Sequence, residues 1–144
     1  MLKGIPSILT PELLKILMEM GHGDELLLCD GNYPKFGCPE RCVRLDGHGI
    51  PEILDAVLRF FPLDGYEEHP VVFMQVLPGD PYQPEIWDTY REIGKKYEKD
   101  GLRETAVQKT EFYPRGAQCY ACIATGETAL YANVIVKKGV VKEN

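Results

Sequence analysis

Few side chains in this sequence suit proton chemistry at neutral pH, and most of them sit beside glycines. In Gly21-His22-Gly23-Asp24 an imidazole stands between two residues that lack side chains, which leaves room for a ligand against the ring. A neutral imidazole titrates near pH 6.5, so it both takes and gives protons at cellular pH. The same segment also reads as a loop histidine whose glycines merely end a helix. Asp30-Gly31-Asn32 carries a similar double meaning. Ligands of α/β sheets bind beyond strand ends, and Asp-Gly is equally ordinary turn chemistry. Tyr131 and Asn133 lie two residues apart and share a face if the chain is extended there. They read either as a solvent-facing pair or as part of a carbohydrate site, the ring covering sugar C–H surface and the amide reading hydroxyls.

The cysteines raise a different chemistry. Cys38 and Cys42 bracket Pro39-Glu40-Arg41, Cys119 and Cys122 bracket Tyr120-Ala121, and Cys29 stands alone. A metal could draw on these thiols together with His22 and His48. Residues three apart in a strand face opposite sides, however, so Cys119 and Cys122 would not converge on one ion. An odd count in a core-sized chain fits reduced thiols better than a secreted disulfide framework. The expectation is therefore buried free cysteines, with no metal and no structural disulfide.

The elements that must position these groups follow from hydrophobic spacing. Thr10 is a plausible N-cap with Pro11 at the first helical position, and Leu13, Leu14, Leu17 and Met20 follow at helical spacing before Gly21, which predicts a helix over 11–20. The apolar run from Glu25 ends at Asp30 and suits a buried strand. Proline-bounded 51–61, with Ile53, Leu54, Val57, Leu58 and Phe61 on one face, predicts a second helix, and 70–77 a strand. Ile86, Tyr90, Ile93 and Tyr97 mark a third helix that Gly101 ends. Strand-length runs follow at 105–109, 119–125 and 132–137. Between the first two, 111–118 holds Pro114 and Gly116, so any helix there is short or irregular. Helices alternating with short buried strands predict an α/β fold: one three-layer domain, 1–144, with helices packed on a central mixed sheet.

Composition narrows the function classes. With 144 residues and 44% hydrophobic content, the chain can bury one core and not two. The formal charge of −6 is spread along the sequence, leaving no basic stripe for a phosphate backbone, so nucleic acid is not an expected partner. No apolar run approaches bilayer length and no signal-peptide core precedes Pro11, which predicts a cytoplasmic protein without a membrane partner.

Several of these ambiguous pieces occur together in one known pattern. Leu2-Lys3-Gly4-Ile5-Pro6, Pro11-Glu12-Leu13-Leu14, Glu19 to Glu25, Asp46-Gly47, Pro62-Leu63-Asp64, Phe112-Tyr113, Thr125 to Tyr131 and Lys138-Gly139 run almost end to end. On these residues the sequence resembles the RbsD/FucU sugar mutarotases, most closely their fucose-type members. The resemblance implies an isomerase that interconverts the α and β anomers of L-fucose without a cofactor. His22 looks like the family's proton donor and Asp30 like a sugar-binding carboxylate, while Asp64, Tyr113, Tyr131 and Asn133 match further substrate contacts. Lys109 stands where fucose-type relatives tend to carry arginine and ribose-type relatives histidine. The family forms ring-shaped homo-oligomers, and the Tyr-x-Asn of each site comes from a neighbour of the subunit that supplies the histidine. Two departures stand out: the loop holding Cys38 and Cys42, and Pro114-Arg115-Gly116 where relatives look more helical. The alternatives within reach of the sequence are a D-ribose pyranase, a non-catalytic sugar-binding regulatory subunit, and a zinc or redox protein built on the cysteines.

Overall fold

The structure, a computed structural model, describes residues 1–143. The chain order is α1 (Pro11–Glu19), β1 (Glu25–Cys29), a 3-10 turn (Lys35–Gly37), β2 (Cys42–Leu45), α2 (Ile50–Leu58), β3 (Val71–Met74), α3 (Glu85–Tyr97), β4 (Glu104–Val107), α4 (Lys109–Ala117), β5 (Ala121–Thr125) and β6 (Val134–Lys137). Thr10 caps α1 through its hydroxyl, which accepts from the Leu13 N–H, a contact worth about 1 kcal/mol at such positions. Pro11 and Pro51 occupy first-turn positions, where their missing N–H costs nothing. Gly101, with φ +70°, carries the chain out of α3 into β4.

The six strands form one mixed sheet in the order β2-β5-β1-β6-β3-β4. Strand β6 runs antiparallel to both of its neighbours, and every other pairing is parallel. Side chains alternate across this sheet. Leu26, Leu28, Val71, Phe73, Ile123, Val134 and Val136 enter a large core with Leu13 and Leu17 of α1, Ile53, Leu54 and Val57 of α2, and Tyr90 and Ile93 of α3. Leu27, Cys29, Val72, Met74, Cys122 and Ile135 enter a smaller core on the opposite face beneath Phe112 of α4. Helices on both faces of a mixed sheet make the three-layer α/β domain expected from the alternating pattern.

The differences from expectation are local. β2 was not anticipated: it is a four-residue edge strand with one buried side chain, Val43, and so lacks an apolar run. Lys109 opens α4 instead of ending a strand, and Cys119 and Tyr120 precede β5. The proline-containing segment forms a helix of nine residues through Pro114. Gly116 is required within it, because a Cβ there would run into the Tyr33 hydroxyl and the Gly37 carbonyl. No helix among the described residues is long and apolar enough to cross a membrane.

Candidate functional site

The two groups of chemically capable residues lie at opposite ends of β1. Five residues of strand rise about 16 Å, and His22 precedes β1 while Asp30 follows it.

At the first end, the loop carrying His22 is held by backbone. The Gly23 N–H donates to the Lys138 carbonyl at 2.8 Å, the Lys138 N–H to the Asp24 carbonyl at 2.8 Å, and the Gly21 N–H to Asp24 Oδ2 at 2.7 Å. Gly23 has φ +90°, a conformation that side-chain-bearing residues rarely adopt. The Lys138 ammonium donates to the Leu17 and Met20 carbonyls, completing the acceptors that α1 leaves open. On this platform the His22 side chain is 47% exposed, with Nε2 3.0 Å from Asp64 Oδ1 and its ring centroid 5.3 Å from that of Tyr66.

Asp64 is only 5% exposed, so its charge must be compensated. Burial works against ionisation, but the Tyr66 N–H at 3.0 Å, the His22 ring and the Lys137 charge outweigh it and hold the carboxyl below its ordinary range. The backbone around it is fixed too: the Asp64 N–H donates to the Lys137 carbonyl, and the Arg103 guanidinium donates to the Asp64 and Glu67 carbonyls at 2.7 Å. An ionised carboxylate only accepts, so Nε2 carries the proton in neutral His22 and Nδ1 is left as the base.

The second end holds a cavity of about 240 Å³ lined by Asp30, Tyr113, Tyr131 and Asn133 together with Tyr33 and Asp80. Asn133 is buried and its Oδ1 accepts the Asp30 N–H at 2.7 Å, while Asp30 Oδ1 accepts the Asn32 N–H at 2.9 Å. Burial pushes the Asp30 carboxyl above its ordinary range; the Asn32 N–H and the Asn133 amide oppose that shift, and the Glu127 charge adds to it. Burial and the Asp30 charge likewise raise the Tyr113 phenol.

Among the described residues, Tyr131 is one of two other than glycine with positive φ, at 58°. Such a backbone costs on the order of 1–3 kcal/mol and persists where neighbours hold it. Here Trp87 Nε1 donates to the Tyr131 carbonyl at 2.8 Å, Tyr90 donates its hydroxyl to the Ala132 carbonyl at 2.7 Å, and the Tyr131 hydroxyl donates to Asp80 Oδ2 at 2.7 Å. That last bond raises the Tyr131 phenol and lowers Asp80. The Tyr82 ring stacks on Tyr131 with centroids 6.0 Å apart. The arrangement is an oxygen-rich pocket walled by aromatic rings, suited to a small polyhydroxylated ligand.

The fold thus gathers Asp30, Tyr113, Tyr131 and Asn133 in one cavity and His22 with Asp64 at the far edge of the sheet. Lys109 is exposed at the start of α4, one turn before Tyr113 and outside the cavity wall. Sequence reasoning did not pick out Asp80, Tyr33 or Tyr66. Pro78-Gly79-Asp80 reads as turn chemistry, and indeed Asp80 Oδ1 accepts the Tyr82 N–H at 2.9 Å. Nothing in spacing alone brings Tyr66 to His22, 44 positions earlier in the chain.

Comparisons with known proteins agree on this architecture. The sequence profile of the RbsD / FucU transport protein family matches residues 3–141. The fucose mutarotase of Danio rerio is 49% identical, the match covering 97% of this chain and 94% of that protein. The crystal structure of the fucose mutarotase in complex with L-fucose from Streptococcus pneumoniae superposes with a TM-score of 0.92 at 49% identity, covering 98% of this chain and all of that one. Bacillus subtilis RbsD complexed with D-ribose shares the fold, with a TM-score of 0.72 at 20% identity over 93% and 95% of the two chains. With nearly the whole chain matched by profile and by relatives of such identity, this protein belongs to the RbsD/FucU family.

Proposed function

We propose that the protein is an L-fucose mutarotase whose reaction site joins the His22 edge of one subunit to the Asp30 cavity of another. The observation that carries the substrate is the near full-length likeness to a fucose mutarotase crystallised with L-fucose. Opening the hemiacetal removes the proton of the anomeric hydroxyl, breaks the bond from the anomeric carbon to the ring oxygen, and delivers a proton to that oxygen. Rotation of the aldehyde and the reverse transfers then close the ring on the other face. His22 accepts the anomeric hydroxyl proton at Nδ1 and passes it to the ring oxygen as the ring bond breaks, and the closing step reverses both transfers. Asp64 accepts from Nε2–H, so it fixes the tautomer and stabilises the imidazolium that forms between steps. A positioned acid–base residue of this kind contributes about 10²–10⁴-fold.

Asp30 and Asn133 accept and donate toward the distal hydroxyls, and Tyr113 and Tyr131 cover the apolar surface of the sugar. Lys109, outside the cavity wall and one turn before Tyr113, contributes positive charge near the cavity. The chemistry needs only proton transfer, so no cofactor is assigned. The separation of His22 from the cavity by the length of β1 is what favours a site shared between copies of the chain. A cytoplasmic location belongs to the same proposal, in keeping with five free cysteines.

Exchange spectroscopy by NMR on L-fucose, D-ribose and D-galactose with one preparation tests the assignment. The expected result is anomer exchange of L-fucose far above the spontaneous rate and above that of the other two sugars. Fucose binding without accelerated exchange would make the protein a binder, and preference for ribose would make it a pyranase.

A further inference from the structure

On the α4 face of the sheet, three thiols that the sugar chemistry does not use converge. Cys29 Sγ lies 3.5 Å from Cys122 Sγ, Cys122 Sγ lies 4.0 Å from Cys38 Sγ, and all three sulfurs fall within 4.8 Å of one another. They come from three separate places: the last residue of β1, the second residue of β5, and the residue that closes the 3-10 turn. Cys29 and Cys122 are at most 2% exposed, while Cys38 is half-buried on the loop. The spacing argument against a metal rested on Cys119 and Cys122 lying in one strand; Cys119 stands outside β5 and bonds the Arg115 carbonyl, and the partners of Cys122 come from elsewhere.

We propose that Cys29, Cys38 and Cys122 form a binding site for a thiophilic d10 cation, of which Zn²⁺ is the representative. The triangle of sulfurs has the size such an ion needs. With sides of 3.5 Å, 4.0 Å and at most 4.8 Å, its centre lies about 2.2–2.4 Å from each corner, against about 2.3 Å for a zinc–sulfur bond. A disulfide fits less well. Cys29 pairs in register with Ala124 and Cys122 with Leu27, so the two cysteines are diagonal neighbours on adjacent strands. Their α carbons are then about 7–8 Å apart, beyond the span a disulfide bridges without backbone movement.

Electrostatics and access support the same assignment. Either of Cys29 and Cys122 can donate its S–H to the other, and Cys122 also reaches Cys38, so the three sulfurs share one small volume. Three thiolates that close repel one another unless a cation lies among them. A cavity of about 140 Å³ opens onto Cys29 and Cys38, lined also by Cys42, Lys35, the Asp30 carboxyl and Arg44, which is paired with Asp46. It provides an approach and an open fourth position, and Lys35 complements the net negative charge of a tris-thiolate zinc centre. The ion would tie the loop bearing Tyr33, which lines the sugar cavity, to the middle of the sheet.

The test is titration of the full-length, reduced, metal-stripped protein with Co²⁺ and then Zn²⁺. The expected result is one Co²⁺ per chain with a thiolate-to-metal charge-transfer band that Zn²⁺ abolishes, and slowed modification of three of the five thiols once Zn²⁺ is bound. Cys38→Ser and Cys29→Ala each lose the band, whereas Cys119→Ser keeps it; circular dichroism checks that each variant is folded. Absence of the band in the wild-type chain, an unchanged band in both ligand variants, or a mass two hydrogens short of the reduced chain in place of metal binding overturns the proposal.

Discussion

The two ends of β1 contrast in how they hold polar groups. At the His22 end the buried polar side chain is Asp64, and the imidazole it supports stands half in solvent on a glycine loop. At the Asp30 end the acceptors are recessed, tied to one another and to backbone, and walled by tyrosines. In the proposed mechanism the first end moves a proton and the second grips hydroxyls. Neither does both. Because the two surfaces differ and lie on opposite edges, a contact that joins them between copies is head-to-tail, and such contacts close into rings when the rotation permits.

The strongest way to break this division is His22→Ala. Exposure of the ring predicts an intact fold and nearly unchanged fucose affinity, with catalysed exchange falling about 10²–10⁴-fold. The division sharpens when His22→Ala and Asp30→Asn chains are co-assembled and assayed at fucose well below the dissociation constant: His22→Ala alone is nearly inactive, Asp30→Asn alone is about 10-fold slow, and the mixture exceeds the mean of the two by pairing an intact edge with an intact cavity. A mixture that only averages its parents places all the chemistry in one chain. Next in size, Asp30→Asn weakens fucose binding in calorimetry by about 10-fold, the effect of weakening one hydrogen bond to a charged acceptor, while leaving thermal stability near wild type. Equal affinity would remove Asp30 from the grip.

The smallest effect is thermodynamic. The Asp64 carboxyl is held below its ordinary range in the fold, so the unfolded chain takes up that proton first as pH falls. Its stabilising contribution is complete above the unfolded pKa near 3.9 and disappears as pH drops through the lower folded value. Asp64→Asn should therefore be less stable than wild type by on the order of 1 kcal/mol at neutral pH, with the gap in urea unfolding closing toward pH 3. A gap independent of pH would mean that the Asp64 carboxyl titrates alike in the folded and the unfolded chain.

Much of the scaffold was legible because its signals are local. Thr10-Pro11, Pro51 and Gly101 announce helix ends by their own stereochemistry, and apolar runs announce buried strands. β2 escaped because an edge strand with one buried residue carries no run to read. The division of the site was implied by the family resemblance alone, not by the spacing of its residues. The apolar run marks a strand between His22 and Asp30, but only the antiparallel insertion of β6 puts Asn133 at one end and Lys138 at the other. The thiol triangle was hidden likewise, since its members belong to three different elements.

Trp87 gives this architecture a built-in optical reporter. It is the one tryptophan of the chain, its ring stacks on Phe73 with centroids 4.9 Å apart, and its indole N–H holds the strained corner at Tyr131. Indole emission responds to the polarity and hydrogen bonding around the ring, so ligand entry that shifts this corner is readable as intrinsic fluorescence, without a label and without altering any residue of the cavity.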